Sequence, residues 1–302
     1  MTTNADDARR RCAWLPLANG AAHAIARLPQ PLLLACGAAL AWLGAPLLRK
    51  RRRYARVNLA LCFPELDDRA RARLQRATWR ATITGLLELL RAWFAPRATV
   101  ARLVDVAGLE HVHAARAQGR GVLLLTGHFP HSELGGRALA DALGLPLAVV
   151  VRRNAHPCME RWMDAARRRA FADTIGKKDV RALLRTLSRG GLVAYSADQN
   201  FTYQNAFVPF FGVQASTLVA TSDIARRSGA VVLPYWFLRG DDGRYRLWIE
   251  PPWDGWPSDD PAADAARYMR ELERVVRLRP EQYLWVHRRF KTRPPGEPDV
   301  YR

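Results

Sequence analysis

The chain has 302 residues, of which 49% are hydrophobic, so it is long and apolar enough to form a large folded core rather than a disordered chain. It carries 47 Lys and Arg residues against 28 Asp and Glu residues, which gives a formal net charge of +19. A balance this basic favours an anionic partner: a nucleic acid, an anionic membrane, a phosphorylated lipid or an acidic protein. The four cysteines (Cys12, Cys36, Cys62 and Cys158) show neither close pairing nor metal-ligand spacing. They argue against a disulfide framework and a metal site, and they favour a reducing compartment for the main domain.

The N-terminal region has the pattern of a membrane attachment. Residues 32–48 contain no charged side chain over 17 positions, near the lower limit of about 17–25 residues for a membrane-spanning helix. A buried core helix of the same length is the alternative. The run is followed by basic residues without an intervening acid: Arg49, Lys50, Arg51, Arg52, Arg53 and Arg56. This cluster favours a juxtamembrane segment, so we predict an anchor over residues 1–66 and a catalytic domain over residues 67–302.

Beyond residue 66 the pattern alternates between helices and short apolar strands. It predicts helices over residues 67–94, 132–143, 156–170, 180–189, 216–228 and 262–278. It predicts strands over residues 121–126, 147–151, 192–195, 230–237 and 244–249. Strands that alternate with helices predict an α/β fold in which helices flank a mixed sheet.

One histidine is placed for chemistry. His128 directly follows the predicted strand 121–126, and Glu133 lies five positions later, one turn into the next predicted helix. In an open α/β sheet, such a strand-to-helix turn is where active sites form. A hydrogen bond from the His128 ring to Glu133 would fix the tautomer and leave the other ring nitrogen free as a base. A buried or capping histidine is the alternative, and the spacing alone leaves the two interpretations about even.

The sequence offers no sign of a covalent nucleophile in the protein. It contains no G-x-S-x-G motif, and no catalytic signature follows Cys158. Ser132 lies between His131 and Glu133, but nothing marks it as a nucleophile. A histidine base without a nucleophile fits direct attack by a substrate hydroxyl on an activated acyl group.

Six blocks in order resemble the bacterial lipid A biosynthesis acyltransferases, the late lauroyl- and myristoyl-transferases of the lysophospholipid acyltransferase-like superfamily. The blocks include Cys62-Phe63-Pro64-Glu65, His128 to Glu133 with Leu134-Gly135, Arg152 with His156-Pro157 and Arg167, Asp198-Gln199-Asn200, Phe207 to Gly212, and the long stretch from Pro280 to Lys291. The sequence departs from the family at His156, where the family usually has Asn.

The resemblance implies a glycerolipid-acyltransferase-like fold with an N-terminal membrane-associated helix, and it implies His128 and Glu133 as the catalytic pair. It implies an acyl carrier protein, or acyl-CoA, as the donor and a hydroxyl of a phosphorylated glycolipid, a lipid A precursor, as the acceptor, with no cofactor and no metal. The substrate-binding candidates that follow from it are Arg152, Arg167, Arg169, Asp198, Gln199, Arg288 and Arg289. Guanidinium groups suit phosphate because they bind it bidentately.

These candidates also have simpler interpretations. The basic run around Arg167 can be a solvated helix face, and Asp198 can be a turn cap. The aromatic stretch from Phe201 to Phe211 can be core, although it can also line a groove for an acyl chain.

Two other functions stay open at this stage. A glycerophospholipid acyltransferase shares the His-x4-acid chemistry, but the C-terminal block argues against it. A non-enzymatic nucleic-acid binder would suit the charge of +19, but no helix-turn-helix, zinc finger or RNA-binding motif supports it, so no nucleic acid is expected. The expected location is the inner membrane, with the catalytic domain on its cytoplasmic side.

Overall fold

The computed structural model describes residues 12–302, and a seven-stranded sheet organises the fold. The strands of this sheet are β1 (Val104–Ala107), β2 (Val122–Thr126), β3 (Leu147–Val151), β4 (Asp173–Gly176), β5 (Leu192–Ser196), β8 (Val231–Arg239) and β9 (Tyr245–Ile249). Their order is β1-β9-β8-β2-β5-β3-β4. Strands β8, β2, β5, β3 and β4 are parallel, whereas β9 runs antiparallel to β8 and pairs in parallel with β1. The predicted mixed sheet is confirmed.

Helices cover both faces of the sheet. The helices are α1 (Leu15–Ala26), α2 (Gln30–Gly44), α3 (Arg49–Cys62), α4 (Asp68–Phe94), α5 (Arg97–Ala101), α6 (Leu109–Ala117), α7 (Ser132–Leu143), α8 (Pro157–Arg167), α9 (Val180–Ser188), α10 (Ala220–Ser228) and α11 (Pro261–Leu278). Successive residues of β2 point to opposite faces, so Leu123 and Leu125 join one core and Val122 and Leu124 join the other. Helices α3, α9, α10 and α11 contribute to the first core, and α1, α4, α6, α7 and α8 to the second. Burial on both faces explains why β2 is an uninterrupted apolar run.

The N-terminal apolar run does not form one continuous helix. Helix α2 has 15 residues and ends at Gly44, which gives it a length of about 22 Å against the roughly 30 Å of a bilayer core. Over residues 12–302, no helix taken singly has the length and apolar character needed to cross a bilayer. Helices α2 and α3 meet the criterion only as a pair, and they bend by 103° at their junction. The division at residue 66 stays a prediction, although α3 contributes Tyr54 and Leu59 to the same core as the sheet.

A hairpin replaces the first part of one predicted helix. The helix predicted over residues 216–228 begins only at Ala220, because Ser216 and Thr217 belong to β7 (Val213–Leu218), which pairs antiparallel with β6 (Asn205–Phe210). The Ser216 hydroxyl lies 2.6 Å from the Asn205 amide nitrogen across this hairpin. Such side-chain partners favour the strand over the helix for a short hydroxyl residue.

The cysteine interpretation is also corrected. Cys12 and Cys158 form a disulfide, with their Cα atoms 5.6 Å apart. The two residues are 146 positions apart in the chain, so spacing gave no sign of the pair. The bond ties the segment before α1 to the start of α8.

Candidate active site

The strand register brings His128 and Asp198 together. Strands β2 and β5 are parallel neighbours, and their last residues, Thr126 and Ser196, are paired. His128 and Asp198 each lie two positions beyond this pair, at the carboxyl edge of the sheet. The His128 Nδ1 atom lies 2.6 Å from Asp198 Oδ1, and the His128 amide donates to Asp198 Oδ2 at 3.0 Å. Asp198, rather than Glu133, is therefore the hydrogen-bond partner of the His128 ring.

The C-terminal segment supports this pair from behind. The Tyr283 hydroxyl donates to Asp198 Oδ2 at 2.8 Å, and the Leu284 amide donates to the His128 carbonyl at 3.1 Å. Asp198 and Tyr283 are almost completely buried. Their contacts give the segment after α11 a direct role in positioning His128.

The electrostatics favour a histidine base. An ionised carboxylate only accepts hydrogen bonds, so the Nδ1 of a neutral His128 carries the proton and Nε2 presents its lone pair. Burial lowers the pKa of His128, but the charge of Asp198 and its hydrogen bond raise it, and the net pKa lies above the ordinary value. Burial raises the pKa of Asp198, whereas the His128 charge and the hydrogen bonds from His128 and Tyr283 hold it well below its usual range. Asp198 therefore stays ionised across the neutral range.

Glu133 lies beside the site but has other partners. Arg167 donates to Glu133 Oε1 from Nη2 at 2.5 Å and from Nε at 3.0 Å, and Trp93 Nε1 donates to Glu133 Oε2. The Arg167 guanidinium also lies over the Trp93 ring, 5.4 Å from its centre. Within residues 12–302 the structure forms no hydrogen bond between His128 and Glu133, because Glu133, in the first turn of α7, faces α4 and α8. A catalytic role of Glu133 stays a prediction.

A cavity of about 870 Å³ opens in front of His128, at the upper part of the roughly 300–1,000 Å³ range of ligand pockets. His128 and Glu133 line it, and about a third of the His128 side chain (32%) is accessible. The apolar part of the wall includes Val149, Val151, Phe171, Ile175, Leu183, Tyr195, Leu218, Ile224 and Tyr235. Of the aromatic stretch, Phe201 joins this wall, whereas Phe210 is buried core. The cavity can hold an apolar chain beside a basic group.

The mouth of the cavity is rich in cations. Its basic lining residues are Lys50, Arg51, Arg152, Lys177, Arg288 and Lys291. Within residues 12–302, none of them forms an ion pair with a carboxylate. The Arg288 guanidinium lies 5.4 Å from the centre of the Tyr54 ring, which holds it at the rim. The arrangement suits an anionic substrate group.

The predicted binding residues divide between the cavity and the core. Arg152, Gln199 and Arg288 line the cavity. Arg169 instead lies over Phe94, 5.3 Å from its ring centre, on the side of α1. Arg289 is buried and donates to the Ser216 carbonyl at 2.7 Å, so it supports the hairpin. Arg167 also has a protein partner, because its guanidinium donates to Glu133. Substrate binding by these residues stays a prediction.

The sequence pattern does not identify several residues that line the cavity or support His128. It places Lys50 and Arg51 in a membrane segment, it does not single out Lys177, and it marks Tyr283 only as part of a block that resembles the family. The basic run at 49–53, which contains no acid, is the sequence feature that could have indicated Lys50 and Arg51. Their position at the cavity, however, depends on the bend after α2. No group of three metal-ligating side chains is present among residues 12–302.

The chain is similar to acyltransferases of lipid A biosynthesis over almost its whole length. The profile of the bacterial lipid A biosynthesis acyltransferase family matches residues 3–292. The chain is 35% identical to the lipid A biosynthesis lauroyltransferase of Escherichia coli K12 over 291 residues, which cover 95% of this chain and 94% of the relative. It is 36% identical to the lipid A biosynthesis palmitoleoyltransferase of the same organism over 279 residues, which cover 91% and 90% of the two chains. The lipid A biosynthesis myristoyltransferase of that organism is 26% identical over 295 residues.

Proposed function

The chain belongs to the bacterial lipid A biosynthesis acyltransferase family, and from this premise we propose that it transfers a fatty acyl group from a thioester to a hydroxyl of a phosphorylated lipid A precursor, with His128 as the general base. The observation that carries the proposal is the His128–Asp198 pair, whose His128 lines a cavity with an apolar wall and a cationic rim.

The geometry of the pair supports base catalysis of this reaction. Nε2 of His128 removes the proton of the acceptor hydroxyl as its oxygen attacks the thioester carbonyl. The new C–O bond forms, the C–S bond breaks, and the imidazolium returns the proton to the departing thiolate. Asp198 stabilises the imidazolium while it exists, because the two groups are 2.6 Å apart.

The lining of the cavity supports a separate place for each part of the substrates. The acyl chain occupies the apolar wall, where Val149, Ile175 and Ile224 exclude water. The acceptor's phosphates bind at the rim, with Arg288 and Lys291 as the first contacts. Each charge-assisted contact of this kind contributes roughly 1.5–3 kcal/mol.

Attachment to the membrane is proposed through exposed apolar side chains of the N-terminal helices. Leu17 in α1, Trp42 in α2 and Leu47 before α3 are 80%, 78% and 83% exposed. The basic start of α3, from Arg49 onward, follows Leu47 directly. Apolar groups inserted beside cations bind an anionic bilayer at its interface without spanning it. The enzyme then meets its lipid acceptor at the cytoplasmic face of the inner membrane.

The test is acyl transfer by the purified full chain. Lauroyl- and palmitoleoyl-acyl carrier protein are offered with a lipid A precursor, and the product is weighed by mass spectrometry. His128→Ala should reduce the rate by about 10²- to 10⁴-fold, whereas His113→Ala, an exposed histidine on α6, should not. Near wild-type turnover in His128→Ala would rule out the base. No acylated product from either donor would rule out the reaction.

A further inference from the structure

A basic surface lies next to the cavity on the edge strand of the sheet. Lys177 and Lys178 follow β4, and Arg181 and Arg185 lie one helical turn apart on the first two turns of α9. All four side chains are exposed. We call these four residues the α9 surface. Its one acid, Asp179, caps α9, with its carboxylate accepting from the Ala182 amide at 2.9 Å.

The cations of the α9 surface have no partner within the part of the chain that the structure describes. No carboxylate lies within ion-pairing distance of any of the four in residues 12–302. The neighbouring helix α8 shows the contrast, since Arg153 contacts Glu160 at 3.1 Å and Asp164 at 3.2 Å. The α9 surface is thus a local excess of positive charge, while other arginines of this basic chain are neutralised.

Folding does not account for this placement. The amino terminus of a helix carries a partial positive charge, so cations there are unfavourable and acids are preferred. Lys177, Lys178 and Arg181 all lie at or before the first turn of α9. These cations stabilise neither the helix nor an ion pair within the described residues. Their charge is therefore available to an external anion.

The surface is connected to the site. The Lys177 amide donates to the Val151 carbonyl at 2.9 Å at the end of β3, and Lys177 and Val180 line the cavity of His128. Strand β4 is separated from β2 by β3 and β5, so three strand spacings, or about 14 Å, lie between the edge and the strand before His128. A reactive group on a flexible arm can cover that distance from a carrier bound at the edge.

We propose that the α9 surface docks the donor, an acidic carrier protein that holds the acyl thioester on a flexible arm. The proposal rests on the proposed function, which requires a thioester donor. Charge complementarity selects an acidic protein, because a cationic patch beside a cavity steers and orients such a partner. A bilayer is less suited, because the exposed apolar side chains Leu17, Trp42 and Leu47 belong to the N-terminal helices.

The experiment compares two donors that share one thioester. Full-length wild type and Arg181→Glu/Arg185→Glu are assayed with lauroyl-acyl carrier protein and with lauroyl-pantetheine, which lacks the acidic protein. The double variant should lose about 10- to 10³-fold in kcat/KM with the carrier, mostly as a higher KM, and less than twofold with lauroyl-pantetheine. Arg189→Glu is the matched control, because Arg189 ends the same helix beside the amino end of β5, away from His128.

The outcomes separate the two proposals. Wild type that transfers from neither donor overturns the proposed function. If the wild type uses both donors and the double variant has the same kcat/KM with the carrier as the wild type, the docking surface is wrong and the proposed function stands. An equal loss on both donors assigns Arg181 and Arg185 to the acceptor or the fold instead. A loss of binding to phosphatidylglycerol vesicles by the double variant, with kcat/KM on the carrier unchanged, assigns the α9 surface to the membrane.

Discussion

Replacement of Asp198 by Asn tests the proposed pairing of His128 with Asp198 most directly. The carboxylate of Asp198 accepts three hydrogen bonds: from His128 Nδ1 at 2.6 Å, from the His128 amide at 3.0 Å and from the Tyr283 hydroxyl at 2.8 Å. Asn keeps the size but loses the charge and gains an NH2 donor. If that group donates to Nδ1, the ring proton moves to Nε2, and the base has no lone pair for the acceptor hydroxyl.

The expected loss is that of a mispositioned general base. Such a loss reduces the rate by about 10²- to 10⁴-fold, which corresponds to roughly 2.7–5.5 kcal/mol of transition-state stabilisation. Tyr283→Phe removes one of the three bonds and leaves the charge in place, so its loss should be smaller. The order of the two losses therefore distinguishes the charge from general disturbance of the buried site.

The pH dependence of kcat/KM gives a second test, because the structure predicts the direction in which its acid limb should move. His128 must be neutral to accept a proton, so kcat/KM rises as pH rises through its pKa. The charge of Asp198 raises that pKa and burial lowers it. In Asp198→Asn only the lowering by burial remains, so the acid limb of kcat/KM should move to lower pH while the maximum falls. An unchanged limb with a near wild-type maximum would refute the pairing of Asp198 with His128.

Three further predictions follow from the same contacts. Arg167→Ala should lower the free energy of unfolding by about 1–3 kcal/mol, because it leaves Glu133 without its cation, and Glu133→Gln in the same chain should recover part of that loss in chemical denaturation. Leu47→Glu should weaken flotation with anionic vesicles, whereas Leu278→Glu, at another exposed leucine, should not. Arg288→Ala should raise the KM for a bisphosphorylated acceptor more than for a monophosphorylated one, measured at saturating donor.

Each of these predictions has a contradicting result. An additive double variant would show that Arg167 and Glu133 do not interact. Equal flotation of Leu47→Glu and wild type would remove Leu47 from the membrane surface. An equal effect of Arg288→Ala on both acceptors would show that Arg288 does not recognise phosphate.

The fold was predictable where burial leaves a local pattern. Strand β2 is buried on both faces and appears as a continuous apolar run, and α4 shows an apolar stripe at helical spacing. Strands β1 and β4 have four residues each, partly exposed, and they were not predicted. The bend after Gly44 was also missed, because charge and hydropathy give the length of an apolar run but not the 103° angle between two helices.

The sequence predicts the site only where its residues lie close together in the chain. His128 was found because its turn and helix are local in sequence. Asp198 is 70 positions from His128, and the two meet only because β5 is inserted beside β2 in the sheet order. That order is decided by packing, which a single sequence does not display. The sequence pattern therefore points to Glu133, the acid that follows His128 in the chain, whereas in the structure the ring contacts Asp198.

Asp198 and Glu133 also differ in how strongly their negative charge acts on His128. Asp198 accepts hydrogen bonds from Tyr283 and from His128 itself, so its negative charge is available to the imidazolium. The charge of Glu133 is compensated by Arg167 at 2.5 Å, and its side chain is a quarter exposed, so solvent and cation both weaken its effect on the ring. Glu133 is consequently better suited to hold α7 against α4 and α8 at the cavity wall. A loss of activity in Glu133→Ala without a shift in the acid limb of kcat/KM would fit that role, whereas a shift would return Glu133 to the catalytic pair.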